Sequence, residues 1–389
     1  MDNVQEALGT FKGTKVLVTG HTGFKGTWLC IWLKILGAEI IGYSLDPPTQ
    51  PNHFGACGIR DKITHIHGDI LDYNLLLSLV ERHRPEIVFH LAGQPIVRTS
   101  YIEPRLTYET NVIGSLNVLE AVRQSDTVRA VVVVTSEKCY ENKGWLWGYR
   151  ENEPLGGHDP YSSSKACLEV MVASWQRSFF PAELYAEHGV SLATARPSNV
   201  IGGGDWAKDR LVPDCVQALA AGRPIMVRNP THIRPWQYVV EVLFGYLLLA
   251  AHLWKDGPHY NGAWNFGQHE YALWSVEEVV QAVIHFWGSG NYMINRNGSK
   301  LYEDLALRMD CTKAMKVLNW HPIYGVHRTL EATVSWYKAF YEMAESDTVW
   351  NYSVKQIKAY TEELLNKEYA TQAYRVNRKS GTNPGRKWP

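Results

Sequence analysis

Two short strings in the sequence carry side chains that together could move protons. The first is Ser136-Glu137-Lys138, which directly follows a run of four valines. The second contains Tyr161 and Lys165, which are four residues apart and would share one face of a helix. A phenol whose pKa is lowered by a nearby ammonium, beside a carboxylic acid and a second amine, is suited to general acid and base catalysis. The sequence therefore predicts an active site made of these five residues.

The elements around these strings would have to bring them together. The run Val131–Val134 is typical of a buried parallel strand, so the residues after it would lie at its carboxyl end. Open α/β sheets bind ligands at that edge. The string from Tyr161 follows Pro160 and precedes an apolar segment with helical period. We expect the end of this strand and the start of this helix to face each other.

Strand and helix patterns alternate from residue 15 to residue 134. This alternation predicts an α/β fold of the Rossmann type, a doubly wound parallel sheet with helices on both faces. The strands are expected at Lys15–Thr19, Glu39–Leu45, Ile63–Ile70, Ile87–Gly93 and Val131–Val134, with one more at Val190–Arg196. The helices between them are expected at Thr27–Leu36, Leu71–His83 and Asn111–Val122.

The pattern loosens after residue 197, where aromatic residues, proline and glycine become more frequent. We expect a dinucleotide-binding domain over residues 1–197, to which part of 235–266 returns. A smaller C-terminal α/β substrate domain would occupy mainly residues 198–345, and residues 346–389 would form a peripheral tail. The apolar stretch Val239–Leu253 is interrupted by Glu241 and is too short to span a bilayer, which predicts a buried helix.

The first predicted strand leads into a glycine-rich turn with the spacing G-x-x-G-x-x-G. Gly20 would permit the tight turn, Gly23 would let the backbone approach a pyrophosphate, and Gly26 would let the helix pack on the strand. Such a turn between a strand and a helix predicts a site for dinucleotide phosphates. The other candidate cofactor contacts in this turn are Thr22, Phe24 and Lys25.

An acidic residue after the second strand indicates which dinucleotide binds. Asp46 lies where a carboxylate can hold an adenosine ribose, and a carboxylate there repels a 2′-phosphate. Because no arginine lies between Tyr43 and Gln50, NAD is favoured over NADP. Asp46 could also simply be a turn residue before two prolines. Further candidate cofactor contacts lie at the ends of the third and fourth strands: Asp69, Ile70, Leu91 and Ala92.

The composition excludes several classes of function. Thirty-nine basic and 39 acidic residues give a formal net charge of zero, which argues against nucleic-acid binding. The six cysteines are scattered without a C-x-x-C pair, so we expect neither a metal site nor a disulfide framework. The amino terminus has no long apolar run typical of a signal peptide. We therefore expect a cytoplasmic protein with no membrane partner.

Taken together, the motifs resemble those of the extended short-chain dehydrogenase/reductase family. The similar motifs are the glycine-rich turn, the Asp69-Ile70 step, the Tyr161-x-x-x-Lys165 pair and the stretch Arg196–Val200. Within that family, three strings are similar to the branch of CDP-D-glucose 4,6-dehydratases: Gly20–Leu29, Asn199–Pro213 and Arg234–Gln237. The similarity extends from about Phe11 to about Phe340. It implies a seven-stranded sheet, a smaller C-terminal lid, bound NAD, and a CDP-D-glucose substrate in the cleft between them.

The resemblance also implies a role for each catalytic candidate. Tyr161 would take the proton of the C4 hydroxyl, while Lys165 lowers the pKa of that phenol and holds the nicotinamide ribose. Ser136 would hydrogen-bond the developing C4 carbonyl. Lys138 would then remove the C5 proton and Glu137 would protonate the departing C6 hydroxyl. Desolvation favours the neutral amine and the protonated carboxyl that these two roles require.

One position departs from the family pattern, because Glu137 stands where the family usually has Asp. The extra methylene could displace the carboxyl by about an ångström. Without the resemblance, Glu137 and Lys138 could simply pair with each other or face solvent at the end of the strand.

The resemblance implies a second set of residues around the substrate diphosphate. Asn199 would bind a diphosphate oxygen, and Arg234 would clamp the diphosphate through two nitrogens. Arg210 and Lys208 are further candidates, whereas Arg234 could also be a surface residue before a proline. The sequence does not indicate which groups would select cytosine. Family members pair through helices beside the sheet, which implies a homodimer or a dimer of dimers.

Three other functions remain open at this point. A nucleotide-sugar 4-epimerase needs the Tyr161 and Lys165 pair but neither an acid nor a base after the strand. A GDP-mannose-type dehydratase is disfavoured because no arginine adjoins Asp46. A non-catalytic sensor of NAD or a nucleotide sugar commonly lacks the tyrosine or the lysine, and this chain has both.

Overall fold

A computed structural model describes residues 4–268, 273–295, 307–342 and 345–379 of the chain. Within these residues, seven strands form one parallel sheet in the order β3-β2-β1-β4-β5-β6-β10. Two small sheets have the orders β11-β9-β7 and β12-β8. The strands are β1 Lys15–Thr19, β2 Glu39–Ser44, β3 Thr64–His67, β4 Ile87–His90, β5 Ala130–Val134, β6 Ser191–Pro197, β7 Asn199–Ile201, β8 Ile225–Val227, β9 Ile233–Tyr238, β10 Gly262–Phe266, β11 Leu273–Ser275 and β12 Tyr292–Ile294.

Helices cover both faces of the large sheet. Short 3₁₀ turns occur at Ile59–Lys62, Glu137–Cys139, Ala182–Leu184 and Gly257–Tyr260, and a π-helical turn at Glu109–Gly114. The α-helices are α1 Val4–Gly9, α2 Phe24–Ile35, α3 His53–Ala56, α4 Tyr73–His83, α5 Val97–Ile102, α6 Pro104–Tyr108, α7 Ser115–Gln124, α8 Pro160–Ser178, α9 Tyr185–His188, α10 Leu211–Ala220, α11 Val239–Asp256, α12 Val276–Trp287, α13 Thr312–Val317, α14 Val326–Glu342 and α15 Ser346–Lys379.

The side chains of the central strands point alternately to two apolar cores. Val132 and Val134 on β5 pack in one core with residues of α2 and α11. Val131 and Val133 pack in the other core with residues of α4, α7 and α8. A strand buried on both faces needs no polar alternation, which is why β5 is a continuous run of apolar residues. This arrangement confirms the predicted doubly wound α/β fold.

The chain returns to the large sheet after the two small sheets have begun. Strand β10 pairs in parallel with β6, with Gly262 opposite Ala193 and Phe266 opposite Pro197. The predicted buried helix is α11, whose residues from Val239 to Leu253 are buried. In the part of the chain that the structure describes, no helix is both long and apolar enough to cross a bilayer.

Two boundary predictions differ from the structure in ways that affect the site. The second helix begins at Phe24 rather than Thr27, so Lys25 and Gly26 lie in its first turn. The helix predicted from Asn111 begins at Ser115, after the π-helical turn. In that turn the Asn111 side chain accepts a hydrogen bond from the Gln94 backbone N–H at 2.8 Å and donates to the Gln94 carbonyl at 3.1 Å.

The expectation of a peripheral tail is wrong for the first turns of α15. Val349, Ile357, Tyr360 and Leu364 are buried in the main core. Ser353 is also buried and accepts a hydrogen bond from the indole of Trp336 at 2.9 Å. The apolar positions of this helix pack against α2 and α14, so the segment contributes to the core of the domain.

Glu241 explains the charge inside the apolar stretch of α11. Its carboxylate accepts hydrogen bonds from the Tyr324 backbone N–H at 2.9 Å, the Ile323 backbone N–H at 2.5 Å and the Gln268 amide at 2.8 Å. Burial raises the pKa of this carboxyl to about 8, although these three donors act in the opposite direction. The side chain therefore connects α11 to residues 268 and 323–324. Removing its carboxyl group from water costs free energy, which these hydrogen bonds partly offset.

The titration of Glu241 should make the stability of the protein depend on pH. Its folded pKa lies above the ordinary value of 4.5 for a glutamate, so the folded state binds more protons than the unfolded state between about pH 4.5 and pH 8. Stability should therefore fall as the pH rises through this window. In Glu241→Gln the fall should be smaller, by on the order of a few kcal/mol between pH 5 and pH 8. Chemical denaturation at each pH measures the difference.

The matched control is Glu81→Gln, because Glu81 is exposed on α4. That variant should keep the pH slope of the unaltered chain. An equal slope in Glu241→Gln and the unaltered chain would show that this buried carboxyl does not titrate in the window.

Candidate active site

A cavity of about 360 Å³ lies at the carboxyl edge of the large sheet. The end of β5 and the start of α8 form one part of its wall, and residues of β7, β9 and α10 form another. The structure therefore brings the predicted catalytic and substrate-binding strings into one space, although they are far apart in sequence. Predicted site residues that line the cavity are Phe24, Lys25, Ser136, Glu137, Lys138, Tyr161, Asn199, Arg210 and Arg234.

The three residues after β5 form a compact turn. Ser136 continues the extended strand and caps the 3₁₀ turn Glu137–Cys139, because its Oγ accepts a hydrogen bond from the Lys138 backbone N–H at 3.2 Å. The same hydroxyl donates to Oε2 of Glu137 at 2.7 Å. Ser136 is buried, whereas Glu137 and Lys138 are half-buried. The turn thus places an alcohol, a carboxyl and an amine together at the end of a buried strand.

The start of α8 is fixed by its capping residue. Asp159 accepts hydrogen bonds from the Ser162 backbone N–H at 2.9 Å and from the Ser162 hydroxyl at 2.6 Å. Pro160 occupies the first turn, where its missing N–H leaves no donor unsatisfied. Tyr161 and Lys165 consequently begin the helix and are both buried, at 8% and 7% exposure.

The pKa of Tyr161 is shifted in the direction opposite to the predicted one. Burial raises it most and the nearby charge of Glu137 raises it further, while a hydrogen bond with Ser136 acts in the other direction. The expectation of a lowered phenol pKa is therefore wrong for this structure, because desolvation of the phenolate outweighs the neighbouring cations. Burial also lowers the pKa of Lys165 to about 8, and its Nζ donates to the Val134 carbonyl at 3.3 Å.

A buried carboxylate one turn after Lys165 attaches α8 to the sheet. Glu169 accepts hydrogen bonds from Arg196 Nη2 at 2.7 Å, from Thr194 at 2.8 Å and from Thr135 at 2.5 Å. The side chains of Arg196 and Glu169 are each only 3% exposed. Because Thr135 directly follows β5 and Arg196 lies near the end of β6, this cluster fixes α8 against both strands. Glu169 was not among the site residues predicted from the sequence.

The glycine-rich turn has the shape that a dinucleotide phosphate requires. Gly20 has a φ of +73°, and a Cβ there would lie 2.6 Å from the Ala92 backbone nitrogen. A Cβ on Gly26 would overlap the Gly20 carbonyl oxygen. The Thr22 hydroxyl donates to the Leu45 carbonyl at 2.9 Å, which holds the turn against the end of β2. Beyond its chain neighbours, a Cβ on Gly23 would meet only the Gly20 carbonyl oxygen within 4 Å. A pyrophosphate can therefore approach the backbone at Gly23, and the residues present fit NAD.

The other predicted cofactor residues lie along the same edge, beside the cavity. The Asp46 carboxylate follows β2, is 83% exposed and lies 3.6 Å from His67 Nε2. Oδ1 of Asp69 accepts the Leu71 backbone N–H at 2.9 Å, and Ile70 is buried. Leu91 and Ala92 follow β4, where Ala92 touches the glycine-rich turn. Strands β1 to β4 thus contribute the cofactor candidates, and β5 contributes the catalytic turn.

Lys25 faces the catalytic residues as well as the glycine-rich turn. Burial lowers its pKa to about 7, and the positive charges of Lys165 and Arg210 lower it further. The charge of Glu137 acts in the opposite direction. Lys25 was predicted only as a cofactor contact. Spacing along the chain does not show which cavity a side chain in the first helical turn faces.

The substrate candidates occupy different positions around the cavity. Nη1 of Arg210 pairs with Asp205 at 2.9 Å, and Asp205 is held in turn by Tyr337, whose hydroxyl binds its backbone. Asn199 on β7 and Arg234 on β9 lie on neighbouring strands, since Asn199 is in register with Trp236. Lys208 is exposed and does not line the cavity.

Several cavity residues were missed by the sequence analysis. Arg98, Asp209 and Arg228 line the cavity and form ion pairs. Asp209 lies in the string Asn199–Pro213 but had no predicted role, and the two arginines lie outside the three strings. Asn111 connects the loop after β4 to α8, because its amide donates to the Ser164 hydroxyl at 2.9 Å. The only sequence signal at Asn111 was the predicted start of a helix. Among the described residues, no group of three His, Cys, Asp or Glu side chains could hold a metal ion.

Comparisons with known proteins agree with this geometry. Residues 16–263 match the model of the family described as "NAD dependent epimerase/dehydratase family". The CDP-glucose 4,6-dehydratase of Salmonella typhimurium is 46% identical over 330 residues, which cover 85% of this chain and 92% of that protein. The UDP-glucose 4-epimerase of Halalkalibacterium halodurans is 26% identical, over 83% of this chain and 95% of that protein.

Solved structures show the same fold. A UDP-glucose 4-epimerase of Thermus thermophilus, solved in complex with NAD, superposes with a TM-score of 0.71. The superposition covers 84% of this chain and 99% of the epimerase, with 22% sequence identity.

Proposed function

The chain belongs to the NAD dependent epimerase/dehydratase family, and from this premise we propose that it converts CDP-D-glucose to CDP-4-keto-6-deoxy-D-glucose and water. The observation that carries the proposal is the turn Ser136-Glu137-Lys138, which lines the same cavity as Tyr161. Loss of water across C5 and C6 requires an acid and a base in addition to Tyr161, whereas epimerisation at C4 needs the Tyr161 and Lys165 pair but no further acid and base after the strand. The relative with 46% identity is named for the same reaction and the same nucleotide.

NAD is the cofactor of this family, and the residues of the glycine-rich turn would hold it. Gly20, Gly23 and Gly26 leave the turn open to the pyrophosphate, and Asp46 would bind the adenosine ribose. When bound, NAD supplies a hydride acceptor that also returns the hydride. Lys165 lies beside Gly93, within 3.5 Å of where a Cβ on that glycine would stand, and would bind the nicotinamide ribose.

Tyr161 would remove the proton of the C4 hydroxyl. Its raised pKa opposes this role, and after burial the largest effect that raises the pKa is the charge of Glu137. Protonation of Glu137 removes that charge and lowers the pKa of Tyr161. The form of Glu137 that can act as an acid therefore also favours the phenolate of Tyr161, which is the form that accepts the proton. Ser136, which hydrogen-bonds both side chains, would hold the C4 oxygen between them.

Lys138 and Glu137 would carry out the elimination. Lys138 takes the proton from C5, which the neighbouring C4 ketone makes acidic, and Glu137 gives a proton to the C6 hydroxyl so that it leaves as water. The double bond left between C5 and C6 would then take up the returned hydride at C6 and a proton at C5, which gives the 4-keto-6-deoxy sugar. Both side chains are half-buried at the cavity wall. The longer side chain of Glu137 reaches the cavity from the 3₁₀ turn, where the family usually has Asp.

The chain would also form a homodimer. We place a homodimer interface on the helices beside the sheet, because Ile102, Leu106, Ile113 and Val170 are exposed apolar residues on α5 to α8 and the adjoining π-helical turn. Light scattering should give twice the chain mass, and a mass of one chain would reject the interface. We also propose a cytoplasmic location. All six cysteines lie in the described residues and are free, and a reducing compartment keeps thiols in that state.

The proposed reaction can be tested with the purified chain. Incubation with CDP-D-glucose, without added NAD, should produce the alkali-induced absorbance of a 4-keto sugar, because a cofactor that is regenerated in every turnover can stay bound through purification. UDP-glucose and dTDP-glucose should react much more slowly. Lys138→Met should retain NAD and lower the entry of solvent deuterium at C5 by at least about a hundredfold, as loss of a general base does.

Two outcomes would contradict the proposal. Full turnover by Lys138→Met would show that Lys138 is not the base that removes the C5 proton. Interconversion of CDP-glucose and its C4 epimer, with no 4-keto product, would instead favour the epimerase reaction. The matched control is Lys143→Met, since Lys143 follows the same turn and does not line the cavity.

A further inference from the structure

Three charged side chains that the proposed reaction does not use meet in one part of the cavity. Arg98 lies on α5, Asp209 precedes α10, and Arg228 follows β8. All three line the cavity. We call these three residues the outer cluster.

The outer cluster centres on one carboxylate oxygen. Oδ1 of Asp209 lies 3.0 Å from Nη1 of Arg228 and 3.3 Å from Nη1 of Arg98. The two arginines come from separate parts of the fold, one from the large-sheet side and one from the sheet of β8 and β12. Asp209 also has a φ of +63°, a conformation that a residue with a Cβ rarely adopts. A single anion therefore bridges two cations across the cavity, on a strained backbone.

The effects on pKa values separate the cavity into two groups of charges. The charged groups that most affect Tyr161 are Glu137, Arg210 and Asp159. Those that most affect Asp214, in the first turn of α10, are Arg228, Asp209 and Arg98. Because Tyr161 and the outer cluster line one cavity, a nucleotide sugar whose hexose contacts Tyr161 can extend its diphosphate or nucleoside toward the outer cluster.

We propose that Arg98 and Arg228 bind the diphosphate of the nucleotide sugar, and that the Asp209 carboxylate occupies their anion site until phosphate oxygens replace it. Carboxylate and phosphate oxygens pair with the same planar face of a guanidinium. The inference rests on the proposed function, since that function supplies the diphosphate. It adds two arginines and an exchangeable anion to Asn199, Arg210 and Arg234.

The contrast with Arg210 shows why Asp209 is the anion that leaves. Asp205, which pairs with Arg210, has a side chain only 8% exposed and is bound through its backbone to Tyr337. The Asp209 side chain is 37% exposed and lies among partners that are 26% and 33% exposed. Solvent can replace its ion pairs at small cost, because exposed ion pairs contribute little stability. Arg210 therefore keeps its ion pair with Asp205, whereas Arg98 and Arg228 can exchange Asp209 for phosphate oxygens.

Calorimetric titration of the full chain with CDP and with CMP tests the inference without turnover. Asp209→Asn removes the competing charge and should bind CDP several-fold more tightly. Arg98→Gln and Arg228→Gln should each bind CDP about tenfold more weakly, the loss expected for one charge-assisted contact. CMP, which lacks the second phosphate, should change less in all three variants. Asparagine tolerates positive φ, so Asp209→Asn keeps the local backbone.

The matched controls come from an ion pair outside the cavity. Arg84 and Asp126 are 3.0 Å apart and exposed, and Arg84→Gln and Asp126→Asn should bind CDP like the unaltered chain. Weaker or unchanged CDP binding by Asp209→Asn would overturn the exchange, and arginine variants that bind CDP normally would overturn the diphosphate site. A chain that shows the expected CDP shifts but forms no 4-keto sugar would reject the proposed reaction alone.

Discussion

The active site depends on the buried ion pair between Glu169 and Arg196. Burying two charges is costly unless both are paired and hydrogen-bonded. Here the Glu169 carboxylate also accepts hydrogen bonds from Thr135 and Thr194, so two neighbouring strands and one helix share a single anion. Because Glu169 lies one turn after Lys165 on α8, this cluster sets where the Tyr161 phenol stands relative to the turn that follows β5.

The rigid and exchangeable charges of the cavity lie in different places. Near the sheet, Tyr161 and Lys165 are buried on an anchored helix, and desolvation dominates their pKa values. Such preorganised groups need little rearrangement when charge develops on a substrate. In the outer cluster, half-exposed arginines share Asp209 and can change partners. The proposed reaction would thus use a fixed site for the hexose and an adaptable site for the nucleotide.

The sequence predicts the parts of this site that depend on local pattern. Valine runs and a glycine-rich turn identify the strands, and Tyr161 with Lys165 identifies the helix, because each signal lies within a few residues. Glu169 and Asp209 were missed because their partners are distant in sequence. The direction of the Tyr161 pKa was predicted wrongly, since its burial depends on tertiary packing. The core contacts of Tyr360 were missed for the same reason.

Turnover and CDP binding by Glu169→Gln test this account most directly. The amide keeps the size of the side chain but removes the charge that pairs with Arg196. If Glu169 positions α8, kcat for CDP-D-glucose should fall by about a hundredfold, the effect of a small misplacement of reacting groups. CDP affinity should change much less than kcat, because neither Glu169 nor Arg196 lines the cavity that holds the outer cluster. Normal kcat in a variant that circular dichroism shows to be folded would contradict the account.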